Sequence, residues 1–270
     1  MVDLWLLLEA AAFLGAVSVV VWRTRVLDAA GGAAAVVLGA VVYLTVGRGG
    51  AVLLVTFLAV SAAFTRIGYE RKRAVGAAEL KGGMRGWRNV VGNGGVAGVA
   101  ALLSALDPSN HHLFVHAFIG SVAAVFADTM ATEVGLLSKG KVRRILGFGE
   151  ARPGEPGGVT ALGYVGALTA AAISWAVSVL FFTNLLGPSR LLLTVTLSSV
   201  VGTTVDSVSG QLLQAVYRCG VCGALTEVPV HCGAPAQLVR GIRGFDNQAV
   251  NAVCALTGAV VASVVYLLTG

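Results

Sequence analysis

The sequence predicts an all-α, polytopic integral membrane protein of about eight transmembrane helices, with a small Cys-rich lobe on one side. Three observations predict it. Hydrophobic residues make up 56% of the 270, a count that leaves out 36 glycines, and the mean hydropathy is +0.84; soluble domains are more polar. Charged residues are only 12% and arrive in clumps. Between the clumps stand apolar runs close to the roughly 20 residues that cross a bilayer.

The first run, MVDLWLLLEAAAFLGAVSVVVWRTR, lacks a basic leading region and a cleavage site. It therefore reads as a spanning helix over 2–22 rather than a signal peptide, with Glu9 left unexplained. Further spans are predicted over 29–47, 50–67, 92–106, 113–137, 160–184, 190–215 and 247–269. The run at 92–106 is short and Gly-rich, as a tilted, broken or re-entrant segment would be; eight spans is the central expectation and seven the alternative. Abundant Gly and Ala suit close helix approach in lipid, where packing rather than hydrophobic burial drives association.

Charge then orients the map. With the N-terminus outside, 17 of the 19 basic residues fall in inside loops, and only Arg48 and Arg190 fall outside, as the positive-inside rule requires. Both termini are expected outside. The inside loops, 68–91, 138–159 and 216–246, are the long ones, so a site facing the cytoplasm is expected. The domain reading is a single transmembrane domain over 1–270, with 216–246 as a Cys-rich insertion.

Two stretches repeat. GSVAAVFADTMATE at 120–133 aligns with SSVVGTTVDSVSGQ at 198–211, matching Asp128 with Asp206 and Glu133 with Gln211. A second pair brackets them: RNVVGN supplies Arg88, Asn89 and Asn93, and DNQAVN supplies Asp246, Asn247 and Asn251. In both, the asparagines are four apart and share a helix face. One span separates the two Asp motifs, so their helices run parallel, and all four motifs lie toward the inner ends. A carboxylate in hydrocarbon costs roughly 3 kcal/mol even on a mild scale. Interhelical hydrogen bonding is the plain reading. Four motifs at one depth argue instead for a site, and carboxylates with amide oxygens suit Mg²⁺ completed by phosphate.

The loop SKGKVRRILGFGEARPGEPGGVT has five basic side chains, and Gly157, Gly158 and Val159 precede a helix start near Thr160. Their N–H groups could face an anion there, although no Walker A pattern occurs and an ordinary basic loop would look similar. Lys81, Arg85 and Arg88 lie next to the Asn motif, with Arg88 best placed to face the site. In CGVCGALTEVPVHC, the residues Cys219, Cys222 and Cys232, with His231 or another group as fourth ligand, have the spacing of a small structural zinc knuckle. Cys254 reads as a small apolar residue, and His111, His112 and His116 as outer-interface residues.

Together GWRNVVGNGG, GSVAAVFADTMATEVG, GGVTALG, SVVGTTVDSVSGQ and RCGVCGALTEVPVHCG…FDNQAVN resemble the membrane family of plant and cyanobacterial phytyl-phosphate kinase, which also holds transmembrane protein 19 and many archaeal members. The resemblance runs from about Thr65 to Asn251, more loosely over the whole chain. It implies a kinase that converts an isoprenyl monophosphate, of phytyl or geranylgeranyl type, to the diphosphate, with a nucleoside triphosphate donor (CTP favoured) and Mg²⁺. On that chemistry Asp128, Glu133 and Asp206, with Asp246 as a further candidate, are expected to hold Mg²⁺. Asn89, Asn93, Asn247 and Asn251 would bind phosphates or metal waters. Arg88, with Lys72, Lys81 and Arg85, would clamp phosphate oxygens, and Gly157 and Gly158 would hold nucleotide phosphates. The expected partners are the prenyl-phosphate lipid, the nucleotide and the bilayer, with no nucleic acid. A different nucleotide-dependent lipid transferase and a transporter are the alternatives; the DxxDGxxAR signature of CDP-alcohol phosphotransferases is absent, and the polar groups lie near one face rather than at the midplane.

Overall fold

The computed structural model describes residues 4–75 and 80–269, with backbone alone for 80 and 81; Lys81 thus lies outside the described side chains. Three long helices come first: α1 (Leu4–Thr24), α2 (Ala29–Thr45) and α3 (Arg48–Arg66). Two short ones, α4 (Tyr69–Ala74) and α5 (Leu80–Gly83), lead into α6 (Trp87–Leu106). After a 3-10 turn at Pro108–Asn110 come α7 (His111–Gly135), the two-stranded ribbon β1 (Arg143–Arg144) and β2 (Gly158–Val159), then α8 (Ala161–Leu186) and α9 (Pro188–Leu212). A lobe of β3 (Val216–Cys219), β4 (Leu225–Thr226), β5 (Val230–His231) and β6 (Ala234–Arg240) precedes α10 (Asn247–Thr269). Its strands form one antiparallel sheet in the order β4-β3-β6-β5.

Among the described residues, seven helices are long and apolar enough to cross a membrane, α1, α3 and α6 to α10. The 17-residue α2 sits at the lower limit for a span. The predicted spans all appear as helices. The one expected over 92–106 is longer than its apolar run, because α6 begins at Trp87 and takes in Arg88, Asn89 and Asn93. It is a continuous, unbroken 20-residue helix.

Local chemistry sets the helix starts. The Asp28 carboxylate accepts from Gly31 N at 2.9 Å and caps α2, and Thr160 Oγ1 accepts from Gly163 N at 2.9 Å and caps α8. Gly187, at φ +69°, divides α8 from α9, and Pro188 opens α9 where its missing N–H leaves no bond unmade.

Helix α7 is the axis of the bundle. Phe118, Ile119, Phe126 and Met130 on it have no exposed surface, and 78% of its apolar window is buried, against 6% for the peripheral α1. Small residues let its neighbours close on it. A Cβ at Gly258 of α10 would run into the Gly120 carbonyl, and one at Gly202 of α9 would stand 2.6 Å from the Ala124 Cβ. The longer loops and the lobe gather at one end of the bundle. Here Arg66 bonds the Thr24 carbonyl and Arg71 Nη2 bonds the Ser138 carbonyl at 2.8 Å. The opposite end carries Arg48, Arg190, His111, His112 and His116. Glu9 finds its role there: it accepts from Tyr43 Oη at 2.6 Å and pairs with Arg48.

Candidate functional site at the α7–α9 seam

The repeat seen in the sequence is also a register in space. Gly120 lies against Ser198, Ala124 against Gly202, and Asp128 against Asp206, one contact per helical turn. Each pair is separated by the same 78 positions that align the two motifs. Helices α7 and α9 thus run parallel with small residues at i and i+4, and close approach there delivers the i+8 aspartates to each other. Ser199 Oγ adds a bond to the Ala123 carbonyl at 3.2 Å, and Ser198 Oγ one to Gly258 O at 3.0 Å, which ties α10 to the same seam.

The two carboxylates stand within hydrogen-bonding reach of each other and are half-buried. Asp206 Oδ2 is buried and has no hydrogen-bond partner among the described residues. Several basic side chains of the loop-bearing end are committed to other carboxylates: Lys72 and Arg85 to Glu133, Arg88 to Asp246, Arg144 and Arg240 to Glu155. Two carboxylates facing each other away from bulk water repel, and the repulsion grows as the dielectric falls. Such a pair calls for a cation or a proton between its oxygens. The donor set, hard carboxylate oxygen with one buried atom open, fits Mg²⁺ better than a soft metal. Cys254 of α10, expected to be only a small apolar residue, is buried within electrostatic range of both aspartates.

Glu133 departs from expectation. Five residues on a helix turn it about 140° from Asp128, so it faces α3 and α4. Lys72 Nζ lies 2.6 Å from Glu133 Oε2, Thr65 Oγ1 donates to Oε1, and Arg85 Nη2 is 3.8 Å from Oε1. In this structure Glu133 is thus paired with Lys72, Thr65 and Arg85, on a face turned away from the two aspartates. Lys72, with 1% of its side chain exposed, also donates to the Phe64 carbonyl at 2.6 Å, so its charge is enclosed and paired inside the protein. Gln211, the repeat partner of Glu133, likewise turns away from the seam. Its amide exchanges two bonds with the Leu146 backbone, at 2.9 and 3.1 Å, and pins the 138–159 loop to α9.

That loop differs from a phosphate cradle. The Gly158 N–H is spent on the Glu155 carbonyl at 2.8 Å, and Gly158 and Val159 pair with Arg144 and Arg143 as β2 against β1. Gly157, at φ +82°, is pressed against Gln211. The loop is held by Glu155, which accepts from Arg144 and Arg240. Partial burial pushes the Glu155 carboxyl up, but the Arg152 backbone and the two arginines outweigh it and hold it below the ordinary carboxylate value.

The asparagine motifs divide by depth. Asn93 and Asn251 are buried, and Asn93 Nδ2 bonds the Asn89 carbonyl at 2.9 Å; Asn89 is half-buried and Asn247 exposed. Asp246 caps α10 by accepting from Gln248 N and Ala249 N at 3.0 and 3.2 Å, while its other oxygen holds Arg88 Nη2 at 2.6 Å. The Arg88–Asp246 bridge thus joins the starts of α6 and α10. Gln248, not singled out from the sequence, packs against Gly92 with its Oε1 buried and without a donor among the described residues. Its one signal was its place inside DNQAVN. On the other face of α6, an apolar groove runs between α1, α2, α3 and α6. Phe13, Leu14, Leu38, Leu54 and Phe57 line it, and its polar lining is Arg85, Asn89 and Asn93, at the loop-rich end.

Fold and site define a polytopic helical membrane protein with an oxygen-rich polar site about two turns in from the loop-bearing end of its bundle. The chain belongs to the integral membrane protein DUF92 family, whose profile it matches over residues 12–259, in agreement with the family resemblance carried by the five motifs. It is similar to protein PGR of Arabidopsis thaliana, 29% identical over 264 residues that cover 90% of each chain. Uncharacterized membrane protein MJ0933 of Methanocaldococcus jannaschii is 25% identical over 244 residues, 90% of this chain and 87% of the relative. Chloroplastic protein VTE6 of Arabidopsis thaliana is 32% identical over 112 residues, 40% of this chain and 34% of that protein. No solved structure matches.

Proposed function

We propose that this protein is a prenyl-phosphate kinase: it transfers the terminal phosphoryl group of a nucleoside triphosphate, CTP in the first instance, to an isoprenyl monophosphate and forms the diphosphate. The observation that carries the reading is the Asp128–Asp206 pair, two facing carboxylates without a cationic partner among the described residues. Membership in the family and the resemblance of its motifs to phytyl-phosphate kinase support the choice of reaction.

The acceptor is itself a phosphate, largely ionised near neutral pH, so the reaction demands no strong general base. It demands that two anionic groups be brought together, which is positioning plus charge neutralisation. Asp128 and Asp206 would hold Mg²⁺, which when bound neutralises phosphate oxygens. Arg88, whose side chain is 64% exposed in its bridge to Asp246, has N–H groups left for a phosphate. Asn89 and Asn93 offer amides at the polar end of the apolar groove, and the groove suits an isoprenyl tail. The excess of basic residues at this end supports a cytoplasmic site, with both termini outside.

The test is direct. Purified protein is incubated with geranylgeranyl phosphate, Mg²⁺ and γ-labelled CTP or ATP. Label in a lipid diphosphate supports the kinase, and comparing donors fixes the nucleotide. Transfer of a CMP unit with release of pyrophosphate would establish a nucleotidyltransferase instead. No lipid product across several prenyl phosphates would overturn the assignment.

A further inference from the structure

The lobe between α9 and α10 plays no part in the reaction just described, yet it contains the tightest cluster of metal-ligating atoms among the described residues. Three thiol sulfurs and one imidazole nitrogen, from Cys219, Cys222, Cys232 and His231, all lie within 4.8 Å of one another. Cys222 Sγ is 3.7 Å from Cys232 Sγ and 3.5 Å from His231 Nδ1, and Cys232 Sγ is 3.3 Å from His231 Nδ1. A tetrahedral zinc with Zn–S of about 2.3 Å and Zn–N of about 2.0–2.1 Å has S···S edges of roughly 3.8 Å and S···N edges of roughly 3.6 Å. These three separations match those edges to within a few tenths of an ångström. A disulfide would hold its sulfurs at about 2.05 Å, and all four cysteines of the chain are free thiols.

The backbone is shaped for the same end. His231-Cys232-Gly233-Ala234 is a two-residue hairpin turn, with His231 opposite Ala234 and φ values of +52° at Cys232 and +74° at Gly233. Turns of this kind favour Asn, Asp or Gly at the first position. A cysteine there adopts a left-handed backbone that side chains rarely take, and strain of that sort marks a functional constraint. It also explains how two adjacent residues both turn inward. On the other hairpin, β3 delivers Cys219, and Val221 N donates to its sulfur at 3.4 Å, the N–H···S contact that stabilises a thiolate.

We propose that Cys219, Cys222, Cys232 and His231, through Nδ1, bind one Zn²⁺ in a closed structural site that staples the tips of the β3–β4 and β5–β6 hairpins. Four protein ligands leave no open position for substrate. The staple acts at a distance through β6. At the far end of that strand Arg240 holds Glu155 Oε1 at 3.3 Å and the Pro156 carbonyl at 3.4 Å, and Gly241 is packed against the Gln214 backbone. The zinc site thereby fixes the lobe that docks the 138–159 loop onto the bundle.

The experiment is elemental analysis of full-length protein purified without chelator, beside Cys222→Ser, Cys232→Ser and Cys254→Ser. The expected result is one zinc per chain in the wild type and in Cys254→Ser, with loss in the other two. Replacement by Co²⁺ should give thiolate charge-transfer bands and tetrahedral ligand-field bands in the wild type. Chelation should raise the rate of proteolysis within 138–159 and 216–246 while the helical circular dichroism stays unchanged. A metal-free wild type, a Cys219–Cys222 disulfide on thiol titration, or full zinc retention in Cys222→Ser would each overturn the assignment. Because none of these readouts is turnover, a failed kinase assay leaves the zinc test intact.

Discussion

Two acidic clusters on α7, five residues apart, have opposite fates. Glu133 is enclosed by Lys72, Thr65 and Arg85, and its charge is balanced inside the protein. Asp128 meets only another carboxylate, Asp206, and its charge is not balanced by any described side chain. Both are acidic groups in an apolar helix, yet one is complete and the other is not. The complete cluster does structural work, fastening α4 and the start of α6 to α7. The incomplete one calls for a cation or a proton between its oxygens, and it is where we place the cation of the proposed reaction.

The largest effect expected from breaking this contrast is Asp206→Asn, or Asp128→Asn. Either should lower kcat/KM of phosphoryl transfer by at least ~10²-fold, the scale of losing one key electrostatic group, with the melting temperature unchanged or raised, since a like-charge contact is relieved. Turnover near wild type would remove that aspartate from the site. Glu133→Gln should do the reverse: it leaves Lys72 as a buried charge without its partner and should cost about 3–5 kcal/mol of stability, read as a lower midpoint of unfolding in detergent. A stable Glu133→Gln protein with abolished turnover would instead place Glu133 with the aspartates. Gly202→Val sharpens the comparison because both aspartates stay. Its side chain meets Ala124 and should cost about 1–3 kcal/mol while prising the carboxylates apart, so activity falls although every acidic group remains.

Smaller effects are expected at the rim. Arg88→Ala removes an exposed bridge and should change stability by no more than ~1 kcal/mol, but it should raise KM for a phosphate substrate; an unchanged KM for both substrates would refute its role. The smallest concerns Glu155. Its carboxyl is held below the ordinary value in the folded protein, so its pairing with Arg144 and Arg240 contributes fully above the ordinary Glu pKa of about 4.3 and is lost as pH falls through the lower folded value. Proteolysis of the 138–159 loop should therefore rise only on acidification below about pH 4, and no rise in the wild type relative to Glu155→Gln would contradict it.

The spans and the pairing of Asp128 with Asp206 were legible because both rest on local pattern. Apolar runs mark the helices, and a repeat on parallel helices with small residues at i and i+4 forces equal positions together. The partners of Glu133 were not legible. Lys72 lies 61 positions away on a six-residue helix of its own, and nothing in ERKRA distinguishes it from Arg71, which instead bonds the Leu137 and Ser138 carbonyls. The same limit applies to the glycine loop: its composition suggested free N–H groups, but the Gly158 N–H is spent on the Glu155 carbonyl within the loop. The lobe shows the intermediate case. The cysteine spacing was readable, while the convergence of His231 with its neighbour depends on a left-handed cysteine that no spacing reveals.

The central claim is that the Asp128–Asp206 seam holds a divalent cation, and Mn²⁺ binding followed by electron paramagnetic resonance tests it most directly. The wild type should bind Mn²⁺ in a form that Mg²⁺ displaces, Asp206→Asn should lose that binding, and Glu133→Gln and Cys222→Ser should keep it. Equal Mn²⁺ binding in wild type and Asp206→Asn would contradict the account and leave the two aspartates as a proton-sharing pair.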